Sequence, residues 1–269
     1  MDLDLTELAN HVRDSRSFHF PFETTWMLPK VFGFQLTKFM VLELVAAALM
    51  LLIFLTLARR IRGGGPPKGL FWNFFETMLV FIRDEVARPS IGKHDADKFL
   101  PFLWNMFFFI LFCNLLGILP WAGSPTGALT VTAALAAITF CAVVGTGTYE
   151  FGVGGFFKSI VPHMELPKVM AVFLIPMIFV IELAGLLIRH VVLAVRLLAN
   201  MFAGHLVLAV LLGFIALWAN YTFAWVGITT ASVLGSAALT LLELFVAFLQ
   251  AYIFTFLSAL FIGMAVHPH

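Results

Sequence analysis

Residues 182–205 read ELAGLLIRHVVLAVRLLANMFAGH, an apolar helical run that contains charged and polar side chains. Arg196 cannot lose its charge inside this run, because the pKa of a guanidinium lies above ~12. An intramembrane charge costs ~2.5–3.5 kcal/mol or more, so it marks a functional site. Glu182 and His205 differ from Arg196, because a carboxyl and an imidazole can take up and release protons. The run therefore predicts a proton route that contains a fixed positive charge.

The composition is that of a membrane protein. Of the 269 residues, 61% are hydrophobic and only 12% are charged, and the mean hydropathy is +1.00. These values exclude an ordinary soluble domain and predict an all-α integral membrane protein with several spans. Cys113 and Cys141 fit no disulfide or metal spacing and are predicted to be small core side chains. We expect no metal, no other cofactor and no nucleic-acid partner.

Five membrane helices and one interfacial amphipathic helix are predicted. The first span covers about residues 39–57, and the next two cover about 101–119 and 128–149. Each is near the ~20 residues that a bilayer requires. The segment LFWNFFETMLVFIRDEVAR at 70–88 is too charged at one end to span comfortably. It is predicted to be the amphipathic helix, lying in the cytoplasmic interface.

Basic residues set the predicted orientation. The segment ARRIRGGGPPKG at 58–69 follows the first span and predicts a cytoplasmic loop. The N-terminus is therefore outside, and the C-terminus is cytoplasmic after five spans. Asn105 and Asn114, both in the second span, are predicted to join helices by hydrogen bonds.

The last third contains two unusually long apolar helical patterns, at about 169–218 and 224–266. The first would be ~75 Å long, whereas the hydrocarbon core of a bilayer is ~30 Å thick. This pattern fits either four ordinary helices with hidden turns or two long and steeply tilted helices. Since no loop is visible near Arg196, we favour a long, steeply tilted hairpin. The predicted regions are an external N-terminal tail (1–38), the first membrane helix, amphipathic helix and helical hairpin (39–168), and the long hairpin that carries the proton path (169–269).

Helical periodicity assigns the polar groups to faces. Glu182, Arg189 and Arg196 are spaced by seven residues and share one face at about 100° per residue. Asn200 lies about 40° from Arg196 on the same helix, and His205 lies about 180° from it. Arg189 is predicted to snorkel to the interface. Arg196 has no acid nearby in its own helix, because Glu182 is ~21 Å away along the axis. An acid from another chain is therefore expected.

The last helix carries its own polar pair. Glu243 and Gln250 are also seven residues apart and share a face. A pairing of His205 with Glu243 is predicted near the outer end of the hairpin. Gln250 then approaches the level of Arg196.

Several motifs in the chain resemble the a subunit of the rotary F-type ATP synthase, the ATPase A chain family. They are RLLANMFAGHL (196–206), the preceding IELAGLLIR (181–189), the later LELFVAFLQAYIFTFLSALF (242–261), NLLGILP (114–120) and the basic loop after the first helix. The resemblance covers nearly the whole chain. It implies that Arg196 is the stator arginine that faces the carboxylate of each passing c subunit. Asn200 and Gln250 match polar positions that flank this arginine, and Glu182 matches the acid of the cytoplasmic half-channel.

His205 and Glu243 match the two acid/base positions of the outer half-channel. Many bacterial members carry an acid at the first position and a histidine at the second, whereas here they are exchanged, as in mitochondrial members. The resemblance implies a proton-translocating stator subunit with two offset half-channels and a separating arginine. Such a subunit is not an enzyme by itself, and no Walker A sequence is found. The expected partners are the c-subunit ring, the b subunits of the peripheral stalk and the rest of the synthase, in a bacterial inner membrane.

A self-contained ion-coupled secondary transporter or channel is the alternative. Such a protein lines its pathway with its own helices, often built from internal repeats, and no repeat is visible in this sequence. Copurification of small carboxylate-bearing c subunits separates the two hypotheses, because a self-sufficient transporter conducts without them.

Overall fold

The computed structural model describes residues 17–19, 25–27, 30–31, 34–62, 69–119, 123–159, 168–217 and 222–267. Most of the predicted external tail lies outside these residues. So do parts of the predicted basic loop and of the turn after the second span.

Helices dominate the described residues, as predicted. In chain order they are α1 (Lys38–Ile61), α2 (Leu70–Phe81), a π-helical segment (Ile82–Ala87), α3 (Arg88–Ile91), α4 (Ala96–Gly117), a short 3-10 turn (Pro125–Gly127), α5 (Leu129–Ser159), α6 (Lys168–Leu217) and α7 (Thr222–Val266). Two antiparallel strand pairs precede them, β1 (Ser17–His19) with β2 (Thr25–Met27), and β3 (Lys30–Val31) with β4 (Phe34–Gln35). The sequence did not predict these short strands.

Five of the described helices are long and apolar enough to cross a membrane, which confirms the predicted number. They are Lys38–Ile61, Ala96–Gly117, Leu129–Phe156, Phe173–Leu211 and Trp225–Val266. Helices span membranes because they satisfy their own backbone hydrogen bonds, which lipid cannot do.

The two longest helices are α6 and α7, with 50 and 45 residues. Each is continuous, so the prediction of two long helices is confirmed against that of four shorter ones. Helix α6 runs without interruption through Arg196 and also contains Pro176.

The segment predicted to be amphipathic is helical from residue 70 to residue 91 and is not one of the five apolar spans. A charged cluster lies in its π-helical part and at the start of α3. Asp84 accepts hydrogen bonds from Arg83 Nε at 3.0 Å and from Arg88 Nη1 at 2.8 Å. The hydrogen bonds from Arg83 hold the pKa of Asp84 below its ordinary value. These charges are consistent with a helix that does not cross the bilayer.

Helix α5 continues to residue 159, beyond the predicted end of its span at residue 149. The backbone is not helical at Gly152, where φ is 72° and ψ is 164°. A positive φ is accessible to glycine because it lacks a Cβ atom. The chain therefore changes direction here close to the end of the apolar run.

The chain forms two compact units. One consists of Met1–Gly63, Phe108–Thr132 and Arg196–Ala251, and the other of Gly64–Phe107, Ala133–Val195 and Tyr252–His269. Helices α6 and α7 each contribute to both. Contacts within the first unit show that α6 and α7 are antiparallel there, because Asn200 bonds to Gln250 while Leu211 packs close to Gly235.

Asn114 joins helices within the first unit. Its amide is fully buried, donates to the carbonyl of Ala247 at 3.2 Å and accepts from Thr126 Oγ1 at 2.7 Å. The prediction that Asn114 joins helices is therefore confirmed. The same prediction is not supported for Asn105, which is exposed on the surface of α4.

The two cysteines differ in their surroundings. Cys113 is buried, as predicted for a small core side chain, but Cys141 is exposed on α5. The prediction for Cys141 was wrong, because an apolar sequence context does not distinguish a core position from the outer face of a membrane helix.

The second unit brings the end of α7 close to the main chain of α3. A methyl group on Gly263 would lie 2.9 Å from the carbonyl carbon of Ser90 and 3.3 Å from Cα of Ile91, and would overlap the Ser90 carbonyl oxygen. The main chain of Ser90 and Ile91 cannot move aside as a flexible side chain could. Glycine is therefore required for this close approach.

Gly263→Ala is expected to destabilise the protein by about 1–3 kcal/mol, the usual cost of overpacking a closely packed contact. The melting temperature of the protein, solubilised from its membrane in a mild detergent, measures the change. Gly227→Ala in the same helix is the matched control, because a methyl group there meets nothing within 4 Å. An equal or higher melting temperature for Gly263→Ala would show that the close contact does not constrain α7.

Candidate functional site

Arg196 lies on α6 with its side chain exposed at the surface of its unit. The ion pairs among the described residues join Arg83 and Arg88 to Asp84, and Lys98 and His267 to Asp95, and none of them includes Arg196. Among the described residues, the acids that form ion pairs are thus Asp84 and Asp95, and the expected acid from another chain stays a prediction. A cation exposed on an apolar helix is open to a partner outside the polypeptide.

A hydrogen-bonded amide pair lies one turn further along α6. Asn200 Nδ2 donates to Gln250 Oε1 at 2.8 Å, which links α6 to α7. Gln250 is only 1% exposed, and its Nε2 has no partner among the described residues. The prediction that Gln250 approaches the level of Arg196 is confirmed to within about one helical turn.

Glu243 is a buried carboxyl without hydrogen bonds. Its side chain is 7% exposed, and neither carboxyl oxygen has a partner among the described residues. A buried polar group without a partner costs roughly 1–3 kcal/mol. Such a group is poorly suited to a structural role but well suited to binding and releasing a proton.

The predicted pairing of His205 with Glu243 was wrong in its detail. Gly204, not His205, faces the Glu243 carboxyl: a methyl group on Gly204 would lie 3.1 Å from Glu243 Cδ and would overlap a carboxyl oxygen. Consecutive residues of a helix point about 100° apart, so His205 is turned away from this contact. His205 is half-buried, and its Nε2 also lacks a partner among the described residues.

Glu182 belongs to the part of α6 that lies in the second unit. Its side chain is half-buried, and it takes part in none of the ion pairs formed by the described residues. Arg189, on the same helix, is exposed, as the snorkelling prediction requires.

Sequence reasoning missed a stripe of hydroxyl groups on the N-terminal half of α7. At about 100° per residue its members and Glu243 fall within roughly 80° of one another around the helix. The members of this hydroxyl stripe are Thr229, Ser232, Ser236 and Thr240. Their spacing of three or four residues was the available signal. It was overlooked because small hydroxyl residues also serve simple helix packing.

The hydroxyl oxygens of the stripe can still accept hydrogen bonds. Thr240 Oγ1 donates to the carbonyl of Ser236 at 2.8 Å, and Ser236 Oγ donates to the carbonyl of Ser232. A hydroxyl that donates to its own helix keeps lone pairs that accept from water. Thr229 Oγ1 is buried without a partner among the described residues. The stripe thus continues the polar face of Glu243 towards the start of α7.

Comparisons with known proteins agree on one family. The sequence model of the family described as ATP synthase A chain matches residues 40–263. A protein named ATP synthase subunit a from Chloroherpeton thalassium is 40% identical, over 98% of this chain and 78% of its own length. The protein of the same name from Myxococcus xanthus is 41% identical, over 87% of this chain and 75% of its own. That from Chlorobium phaeobacteroides is 36% identical, over 96% and 74%.

The contact between Gly204 and Glu243 gives a test of the site. Gly204→Ala is expected to push the flexible carboxyl aside without unfolding the helix. Proton conduction by membrane vesicles should then fall about 10- to 100-fold, because a displacement of ~1 Å in a reacting group has costs of that order. Gly185→Ala is the matched control, since a methyl group there has open space on the same helix. Equal conduction by the two variants would argue against a role for the Glu243 position.

Proposed function

Because the chain belongs to the ATP synthase A chain family, it is a non-catalytic subunit of the membrane Fo sector of the F-type ATP synthase, and we propose that it conducts protons past a rotating ring of c subunits. It is a multi-pass protein of the bacterial inner membrane that works within the ATP synthase complex. The c ring and the b subunits of the peripheral stalk are its proposed direct partners.

The exposed side chain of Arg196 carries this proposal. A guanidinium stays charged in any accessible state of the protein. On an apolar helix it is stabilised best by a carboxylate, and the described part of this chain supplies none. A carboxylate on each c subunit meets this need in turn as the ring rotates. The same charge repels protons and so prevents direct leakage across the membrane.

The outer half-channel is proposed to run along the hydroxyl stripe to Glu243. Water held by the stripe brings a proton to the Glu243 carboxyl, which is buried but able to bind it. His205, on the facing helix, provides a second proton acceptor near this point. The proton then neutralises the carboxylate of a c subunit. A neutral carboxyl enters lipid at far lower cost than a carboxylate.

The cytoplasmic half-channel is proposed to release the proton past Glu182 after nearly a full turn of the ring. Each proton that crosses gains ~2.3 kcal/mol per 100 mV of membrane potential. The Asn200–Gln250 hydrogen bond holds polar groups beside the arginine and fixes the register of the two helices there.

The proposed arrangement in the membrane follows the charge pattern. The N-terminus lies outside with the tail 1–38, and the C-terminus is cytoplasmic. Residues 39–168 form the supporting helices, and the segment from residue 70 to residue 91 lies in the cytoplasmic interface. Residues 169–269 form the hairpin that carries the proton path. Helices of this length fit a ~30 Å hydrocarbon core only when they are steeply tilted.

Arg196→Ala is expected to abolish ATP synthesis driven by a proton gradient, because no other fixed charge would hold the ring carboxylate deprotonated at this point. Inverted membrane vesicles given an acid–base jump measure the synthesis. Arg189→Ala is the matched control, an exposed arginine of the same helix, and is expected to retain synthesis. Normal coupled synthesis by the Arg196→Ala complex would reject the assigned role.

Glu243→Leu is expected to leave assembly intact, because it replaces an unpartnered buried carboxyl with an apolar side chain of similar size. Proton flux should fall by roughly 10²-fold, within the range that a positioned proton-transfer group contributes. Glu243→Asp keeps a titratable group and should recover part of the flux. Native gels report assembly and a pH-sensitive dye reports flux in vesicles. Unchanged flux in the assembled Leu variant would remove Glu243 from the pathway.

A further inference from the structure

His190 is a buried imidazole that the proposed proton path has not used. It lies on α6 in the second unit, and its side chain is 3% exposed. Its Nδ1 lies 2.8 Å from the carbonyl oxygen of Leu186, and its Nε2 is buried without a partner among the described residues. A carbonyl oxygen only accepts, so Nδ1 carries the hydrogen. The free Nε2 of the neutral ring therefore holds an unused lone pair.

Two aromatic rings from neighbouring helices enclose this imidazole. The ring centroid of Phe140, on α5, lies 5.3 Å away, and that of Phe261, on α7, lies 5.0 Å away. A cation within about 6 Å of an aromatic ring is attracted by the electron density of the ring's face. The enclosure therefore stabilises the imidazolium more than a purely aliphatic pocket would.

Packing alone does not account for a histidine here. A phenylalanine would fill an aromatic pocket without leaving a polar atom unpartnered, whereas a buried acceptor without a partner destabilises the fold. The ring that is present can instead bind a proton at Nε2 while Nδ1 stays bonded to Leu186.

His190 lies in the part of the chain where the cytoplasmic half-channel is proposed. Phe261 lies five residues before the end of α7, the end that the charge pattern predicts to be cytoplasmic. Glu182, the proposed acid of that half-channel, lies eight residues earlier on α6, ~12 Å along the helix axis. Both residues belong to the second unit.

We propose that His190 carries protons in the cytoplasmic half-channel, a role that rests on the proposed function of the chain. A proton released from the c ring binds Nε2 and leaves from the same atom to water on the way to Glu182, so the ring returns to its starting state. Helices α5 and α7 face the imidazole with Phe140 and Phe261, and the charged group that acts on it is Arg189 of its own helix.

His190→Phe is the direct test, because it keeps an aromatic side chain in the pocket and removes the proton site. The measurement is passive proton flux through Fo in inverted vesicles stripped of the catalytic head, as a function of pH on the cytoplasmic side. Flux is expected to fall about tenfold or more, within the range for loss of a proton-transfer group, and its pH dependence to flatten. Leu187→Phe, an exposed position on the same helix, is the matched control and should keep the original flux.

His190→Gln serves as the second variant, since it restores a hydrogen-bond acceptor that does not titrate. It is expected to assemble and to show the same loss of flux. If either variant assembles and retains the original flux and pH profile, His190 is structural and the inference is overturned.

If neither variant assembles, ¹⁵N spectra of histidine-labelled complex decide the matter. A His190 Nε2 signal that titrates with cytoplasmic pH supports the inference, and one that does not overturns it. Arg196→Ala in inverted vesicles that keep the catalytic head tests the proposed function separately, through ATP synthesis driven by a proton gradient. If Arg196→Ala abolishes coupled ATP synthesis while the His190 variants keep the original proton flux, only the role of His190 is overturned.

Discussion

The permanent charge of Arg196 is the constraint on which the rest of the structure depends. Because the guanidinium cannot deprotonate, it must be stabilised by a partner or by water, and it lies exposed on an apolar helix. The long, continuous helix α6 is the element that makes this possible. It satisfies its own backbone hydrogen bonds over 50 residues, so the side chain can reach the protein surface without a loop that would leave polar backbone groups in lipid.

The polar groups of the first unit fall into two sets. Asn114 and the Asn200–Gln250 pair form hydrogen bonds between elements and so hold the helices in register. The Glu243 carboxyl and Nε2 of His205 have no partners among the described residues. A side-chain amide does not titrate and can only form hydrogen bonds, whereas an unpartnered carboxyl or imidazole can also bind a proton. The proposed structural and transport roles therefore do not follow burial, since Gln250 and Glu243 are both buried, but follow the ability of the side chain to titrate.

The sequence allowed the membrane helices to be predicted, because hydropathy and basic loops act over whole segments. It also predicted two long continuous helices in the last third of the chain and the approximate level of Gln250 relative to Arg196. It failed for the contact between His205 and Glu243, because periodicity gives the relative faces of residues on one helix but not the rotation of that helix against its neighbour. The sequence did not predict a role for the hydroxyl stripe or for His190, because Ser, Thr and His in an apolar helix are also compatible with ordinary packing. The short strands before α1 carried no recognisable hairpin pattern.

Glycines connect the packing of α7 to the chemistry proposed for it. In lipid, helices gain little from the hydrophobic effect, so close approach through small residues supplies much of their packing energy. Gly204 lets α6 approach the Glu243 carboxyl in the first unit, and Gly263 lets the end of α7 approach the Ser90 main chain in the second. Each unit therefore contains one close contact of α7 that depends on a glycine, Gly204 of α6 in the first and Gly263 of α7 in the second. Since Glu243, Gln250 and the hydroxyl stripe share one face of α7, the contact at Gly204 sets that face against α6 in the first unit. A bulkier residue at Gly204 would push the Glu243 carboxyl away from α6, and the polar face would lose the packing on which the proposed proton path depends.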